Sequence, residues 1–438
     1  MQSPSKTNHA VEKKKTSSEL VLTRYYYDQT PPGEVDSEDE VQSLEPIRPN
    51  QEPTVAVIGV GYVGEHLVNV FTGHCPVIGF DVSASRIQKL QLENRSAARF
   101  TSKASDIAPA THFLIAVPTL LLPDQQVDSS YLRQAIAVVA RHARPGSTVV
   151  IESSVAVGMT RALLGPAAAA KSLFAGMSPE RVDPGRTVPP ACAIPKVVSG
   201  LDDVVAGSSD AVARLYARAF DEVVRVSQPE VAEMMKLYEN CQRMVCIAYA
   251  NEMADACAGH GIDPFEVCRA AATKPFGYLP FAPGLGVGGH CIPVNPFYLL
   301  SNNHFPLLQR ATETMRARPG VLAQRIVKKM AGQCGGGTRP RILVIGIGFK
   351  PGQAHLANSP GLELAKSLVL SGKVNVVWAD TLVPQEAVPQ IQRLEEKYWS
   401  VTFLEENFDY IVAATRPAGL DLDVLRRVPS KMVEWWFA

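Results

Sequence analysis

The chain carries no net charge, since 43 lysines and arginines offset 43 aspartates and glutamates over 438 residues. Such a balance gives no reason to expect nucleic acid or an anionic membrane as partner, so an anionic ligand has to be held by local groups. No apolar run approaches the roughly 18 residues that span a bilayer, and the polar N-terminus lacks an apolar signal core. The eight cysteines form no CxxC pair, Cys241 and Cys246 being too far apart for that motif. A disulfide framework and a metal clasp both lose their basis, so free thiols in a cytoplasmic compartment are the simple reading and no metal is expected.

What the chain does have is apolar substance: 46% hydrophobic and 20% charged residues, enough for two or three domains with their own cores. Residues 1–52 read as a disordered tail, basic around Lys13, Lys14 and Lys15, then acidic between 34 and 40, with little to bury. At Thr54 the texture changes. TVAVIGVGYVG, VIGF, THFLIAVPT and STVVIESS are apolar runs of the kind that form parallel strands covered on both faces. Helical patterns at 62–72, 84–93 and 129–142 lie between them, which implies a doubly wound parallel sheet. KVVSG and EVVRVS extend it and close a domain over 53–226.

From 227 to 333 the pattern is helical. One long helix begins near Pro229 and ends at Gly259 and Gly261. Its apolar residues exceed a single stripe, so more than one face has to be covered, as in a helix between domains that also pairs with a second subunit. Residues 273–296 are Gly- and Pro-rich loop, and helix resumes over 297–332. After the linker CGGGT, the segments RILVIGIGFK, VNVVWAD and FDYIVAAT begin a second, smaller α/β unit over 334–438. The fold class is therefore α/β, with two Rossmann-like doubly wound sheets joined by a central helical segment.

Gly59, Gly61, Tyr62, Val63 and Gly64 follow a strand and open a helix, and Asp81 ends the next strand. This is the dinucleotide fingerprint: a tight turn, a close backbone approach to the pyrophosphate, and tight helix–strand packing. An acid at position 81 accepts ribose hydroxyls and repels a 2′-phosphate, which favours NAD, although Arg86 nearby is able to receive such a phosphate. Gly346 and Gly348 repeat the turn in the second α/β unit without a third glycine or an acid at the expected spacing, and Lys350 follows. A second NAD site is not expected there; a lysine at such an edge suits a phosphate, or is simply a surface lysine.

The segment from Pro283 to Cys291 holds four glycines in the six residues from 284 to 289. Ordering so many glycines is costly, so backbone has to come close to something. A thiol directly after such a loop is reachable and tunable, although cysteines in general are more often buried and inert. His290 reads as structural. Lys236 and Asn240 share a helix face four residues apart, where an amine and an amide are able to stabilise an oxyanion or simply be solvated. Glu180 and Arg181 occupy a loop after an apolar stretch, as a site acid or as an ordinary salt bridge.

In this order, GVGYVG (59–64), Asp81, VPT (117–119), ESS (152–154), SPER…PG (178–185), KLYEN (236–240), PGLGVGGHCIPVNP (283–296) and GFKPG…SP (348–360) resemble the UDP-glucose/GDP-mannose dehydrogenase family over about residues 53–415. The resemblance implies oxidation of a sugar C6 alcohol to a carboxylate with two NAD, a homodimer, and a nucleotide-binding C-terminal domain. It implies Cys291 as nucleophile, Lys236 and Asn240 as oxyanion partners, Glu180 as base or water-orienting group, and Asn295 as the residue beside the nucleophile. It further implies Thr119 and Ser154 at the nicotinamide half, and Arg181, Phe281, Gly284, Gly288 and Lys350 on the substrate side. The segments SPER…PG and GGHC look most like the UDP-N-acetylhexosamine branch. The chain departs from the family at Asn295 (Asp), Ala357 (Arg), Met315 (Asn, at the end of the stretch Ala311-Thr312-Glu313-Thr314-Met315) and Ser154 (Thr). An impaired nucleotide-sugar binder is the alternative those departures keep open, and UDP-glucose as substrate or a GDP-mannose 6-dehydrogenase are the alternatives within the family.

Overall fold

The computed structural model describes residues 45–48, 51–93, 97–182, 188–332, 339–429 and 432–437. Most of the expected tail, the 334–338 linker and the Pro184-Gly185 pair lie outside the described residues. Among the described residues no helix is long and apolar enough to cross a membrane, and the seven cysteines are free thiols.

The first α/β unit runs β1 (Val55–Ile58), α1 (Tyr62–Thr72), β2 (Val77–Phe80), α2 (Ala84–Glu93), β3 (Arg99–Thr101), β4 (His112–Ile115) and a short hairpin, β5 (Leu120–Leu121) and β6 (Val127–Asp128). It continues through α3 (Ser130–His142), β7 (Thr148–Ile151), α4 (Met159–Lys171), β8 (Phe174–Met177), β9 (Lys196–Gly200), α5 (Ser208–Tyr216) and β10 (Val223–Arg225). The sheet order is β10-β9-β8-β7-β4-β1-β2-β3. The runs VAVI, VIGF and TVVI are buried at every position, because helices cover both faces and build a separate core on each. The sheet is not parallel throughout. β9 runs antiparallel to β8, and β10 follows β9. Among the described residues between β8 and β9 there is no crossover α-helix, in keeping with a return along the edge in the opposite sense.

The central segment comprises α6 (Pro229–Ala258), α7 (Pro264–Ala271), α8 (Asn295–Leu300) and α9 (Pro306–Ala331). The helix expected over 297–332 is broken at 301–305, where Pro306 starts a helix it could not continue. The second α/β unit runs β11 (Arg341–Ile345), α10 (Pro360–Leu370), β12 (Asn375–Ala379), β13 (Gln392–Arg393), α11 (Val401–Asn407), β14 (Tyr410–Ala413), α12 (Asp423–Arg427) and β15 (Val433–Trp435). Its five strands are all parallel in the order β13-β12-β11-β14-β15, matching β3-β2-β1-β4-β7 of the first sheet.

α6 has two differently used faces. Glu233, Asn240 and Asn251 are fully buried and recur at helical spacing along one face. Glu233 accepts from the backbone N–H groups of Gly158 (2.6 Å) and Thr160 (2.8 Å), tying α6 to the start of α4. Asn251 accepts from Gly284 N (2.9 Å), tying α6 to the glycine loop. Two positions earlier in each case, Val231, Tyr238 and Tyr249 are 38%, 67% and 74% exposed, so an apolar stripe lies on the other side. Glu233→Ala leaves two buried N–H groups without an acceptor and is expected to destabilise the fold by about 3 kcal/mol. Calorimetric unfolding measures it, and an unchanged melting temperature would contradict the tie.

Candidate active site

The first glycine turn has the shape a dinucleotide needs. Gly59 adopts φ +85°, and a Cβ on Gly64 would lie 1.8 Å from the Gly59 carbonyl oxygen, so close packing of α1 on β1 demands glycine there. A Cβ on Gly61 would meet nothing within 4 Å, which leaves open space at the α1 N-terminus where a pyrophosphate fits. Tyr62 is exposed and Val63 half-buried on the first turn of that helix. The Asp81 carboxylate accepts from Val60 N (2.9 Å) and Ser83 N (3.0 Å), so it braces the turn as well as ending β2. Arg86 is not a free phosphate receiver. Its Nε donates to Val60 O (2.9 Å) and its guanidinium pairs with Glu65 at 2.6 Å. Two acids around position 86 thus disfavour a 2′-phosphate. Thr119 Oγ1 donates to Ser154 O (2.8 Å), joining the loops after β4 and β7.

The thiol side is assembled from α6, the glycine loop and the start of α8. Cys291 is exposed. Lys236 is buried, and burial pushes its amine below the ordinary lysine value against the opposing charges of Cys291, Glu239 and Glu180, with Arg243 adding to the depression. Asn295 N donates to Cys291 O (2.8 Å). Asn240 donates to Asn295 Oδ1 and accepts from Arg243, so one polar chain runs from the Cys291 backbone through Asn295 and Asn240 to Arg243. Asn240 and Asn295 are both buried. Arg243 escaped the sequence reading; it lies three residues beyond Asn240 on the same helix face, which is the signal that marks it.

The glycine loop is held from two sides. Gly284 is clamped between Asn251 and Arg318, whose Nε donates to Gly284 O (3.0 Å). Gly289, at φ +95°, donates to Ala357 O (2.9 Å) and accepts from Asn358 Nδ2 (2.9 Å). A Cβ on Gly288 would lie 3.0 Å from both Phe349 and Pro360. His290 turns toward the C-terminal unit, its ring 6.1 Å from that of His355, and burial with that neighbour pushes it down to about 4. Phe281 is half-buried, its carbonyl facing the Cys268 sulfur at 3.9 Å.

Glu180 belongs to a buried ionic cluster at the edge of the first sheet. Its Oε1 accepts from Arg181 N (2.6 Å) and Val182 N (2.9 Å), and its Oε2 pairs with Lys196 at 2.9 Å. Lys196 also pairs with Glu152 at 2.8 Å, and Tyr216 donates its hydroxyl to Glu152. Burial pushes Glu152 up; for Glu180, burial is outweighed by Lys196, which holds its carboxyl below the usual range. The Arg181 side chain pairs with Glu239 on α6 at 2.6 Å. Lys196 and Glu152 were missed in the sequence, although each is a lone charge at the end of an otherwise apolar strand.

The second glycine turn is more complete than its spacing suggested. A Cβ on Gly361 would lie 2.6 Å from Gly346 O, so Gly361 takes the place of the missing third glycine. Asp380 at the end of β12 accepts from Ile347 N and Gly348 N (both 3.1 Å), as Asp81 does in the first turn. The residues 349–359 inserted before α10 carry both out of the expected spacing and hold the half-buried Lys350.

Residues 53–220 match the model of the NAD binding domain of the UDP-glucose/GDP-mannose dehydrogenase family, and residues 230–315 match that of its central domain. The UDP-N-acetyl-D-glucosamine 6-dehydrogenase of Pseudomonas aeruginosa is 32% identical over 344 residues, which are 72% of this chain and 79% of that protein. The UDP-N-acetyl-D-mannosamine dehydrogenase of Salmonella typhi is 29% identical over 87% of this chain and 96% of its own length. The structure of the UDP-D-ManNAc dehydrogenase of Pyrococcus horikoshii superposes with a TM-score of 0.73 at 25% identity, over 87% of this chain and 93% of that one. On these grounds the chain belongs to the UDP-glucose/GDP-mannose dehydrogenase family.

Proposed function

We propose that this NAD-dependent dehydrogenase oxidises the C6 alcohol of a UDP-N-acetylhexosamine to the uronate, with Cys291 as covalent nucleophile. The observation that carries this reading is an exposed thiol at the end of a glycine loop, backed by the Asn295–Asn240–Arg243 chain and within the electrostatic reach of buried Lys236. The similarity to UDP-N-acetylhexosamine dehydrogenases points to the sugar class.

Bound NAD supplies the hydride acceptor for each of two oxidations. After the first, the Cys291 sulfur adds to the C6 aldehyde carbon. The former carbonyl oxygen becomes an alkoxide, which the Lys236 ammonium is suited to stabilise and protonate. The thiohemiacetal carbon then gives up its hydride while the oxygen returns its proton to the Lys236 amine, which leaves a thioester. Water adds to the thioester carbon and the Cys291 sulfur departs with the bonding electrons; of the water's two protons one passes to that sulfur and one to solvent, and the product leaves as a carboxylate. Asn240 retains one amide hydrogen after serving Asn295, which is available to the same oxygen. Asn295 provides no proton acceptor for the water: it is an amide, and its oxygen is already taken by Asn240.

The exposed stripe of Val231, Tyr238 and Tyr249 supports pairing with a second copy through α6. Tyr249→Glu is expected to shift the protein to a monomer in analytical ultracentrifugation. A wild-type monomer at micromolar concentration overturns the dimer.

Purified protein with NAD should form two NADH per UDP-N-acetylhexosamine consumed and none with GDP-mannose. Absence of NADH with every UDP-sugar, in folded protein that binds NAD, would sink the reading. Cys291→Ala should lower uronate formation by about a thousandfold or more. Intact mass under turnover should show a sugar acyl adduct on Cys291, because water activation lacks a base at 295, and Asn295→Asp should raise kcat. No adduct together with no gain refutes that bottleneck.

A further inference from the structure

We propose that Lys196 is a positioning residue for the oxidation: it fixes Glu180 as a permanent, immobile carboxylate, so that Glu180 orients water as a hydrogen-bond acceptor and does not serve as the general base. The inference rests on the reading under Proposed function and assigns a role to a side chain outside the residues that touch the sugar.

The geometry is specific. Lys196 opens β9, the strand that returns antiparallel beside β8, so its side chain reaches the ends of β7 and β8 together. Its ammonium is 2% exposed and lies 2.8 Å from Glu152 and 2.9 Å from Glu180, themselves almost fully buried. The Glu180 carboxylate receives three donors, Lys196 Nζ, Arg181 N and Val182 N, which fix both its oxygens in place. A carboxylate so supplied binds a proton poorly. The ionisable groups around it are Glu152, which shares the ammonium, Tyr216, which donates to Glu152, Arg181, whose side chain pairs with Glu239, and His66 on α1 and Lys236 on α6 within electrostatic reach. A buried ion triad is an expensive way to fill space that apolar side chains fill as well. Its yield here is a fixed negative charge beside Lys236, the amine proposed to protonate the thiohemiacetal oxygen.

Three variants and a direct titration test the assignment. Lys196→Met leaves Glu180 buried without its cation, which raises its proton affinity. The expected kcat is about a hundredfold lower, with a new acid limb along which activity climbs as pH rises and Glu180 loses its proton. Lys196→Arg restores the charge and should return both the rate and the wild-type profile. Glu180→Gln, which needs no change at Lys196, should lower kcat without altering the shape of the pH profile; loss of a titration limb in that variant makes Glu180 the base and overturns the proposal. Independently of turnover, carboxyl 13C resonances of glutamate-labelled protein should show Glu180 silent from about pH 5 to 9 in the wild type. A wild-type Glu180 that titrates in that range refutes the locking role even if no sugar is oxidised. An absence of NADH alone counts against the dehydrogenase reading instead.

Discussion

One buried polar face of α6 aligns the parts of the molecule that the chemistry needs. Glu233 on that face receives two N–H groups from the start of α4, Asn240 joins Asn295 at the start of the helix after Cys291, and Asn251 receives the glycine loop at Gly284. One turn further, Asp255 binds both Arg318 and Arg325 of α9 at 2.9 Å. A rigid helix thus sets the separation between the first sheet, the thiol and the second unit. Glu233, Asn240 and Asn251 are fully buried polar groups that would be costly to leave unpaired, so the register of α6 is strongly specified. The surplus of apolar residues on the same helix is then accounted for by the exposed stripe of Val231, Tyr238 and Tyr249.

Much of this was legible beforehand. Buried strands announce themselves as short β-branched runs, and VAVI, VIGF and TVVI did so. The first turn was legible because glycine spacing and a strand-ending acid are local in sequence. What was not legible is what depends on distant pairing. The reversal of β9 left no mark in KVVSG, since strand direction is not encoded in a strand's own composition. Gly361 and Asp380 were hidden by the inserted loop, although in space they repeat the roles of Gly64 and Asp81. Lys196 and Glu152 stood in the sequence only as parts of KVVSG and ESS, and the antiparallel return that brings them within 2.8 Å of each other is not local in sequence. Arg86 was judged by position alone, and Glu65 across the turn changes what it offers.

The two α/β units share a device. In each, an acid at the end of the second strand accepts N–H groups from the turn that follows the first strand. The carboxylate does the work of stiffening a loop whose residues have few side-chain contacts of their own. That makes the turn backbone preorganised, so less ordering entropy is lost when a ligand arrives.

The clasp between Gly289 and the Ala357-Asn358 pair has a mechanical meaning. The loop that ends at Cys291 is pinned to the C-terminal unit at Gly289, while Asn251 at Gly284 and the Asn295–Asn240 pair pin it to the central helix. A loop fastened at both ends limits how far those two parts can separate before one of these bonds breaks.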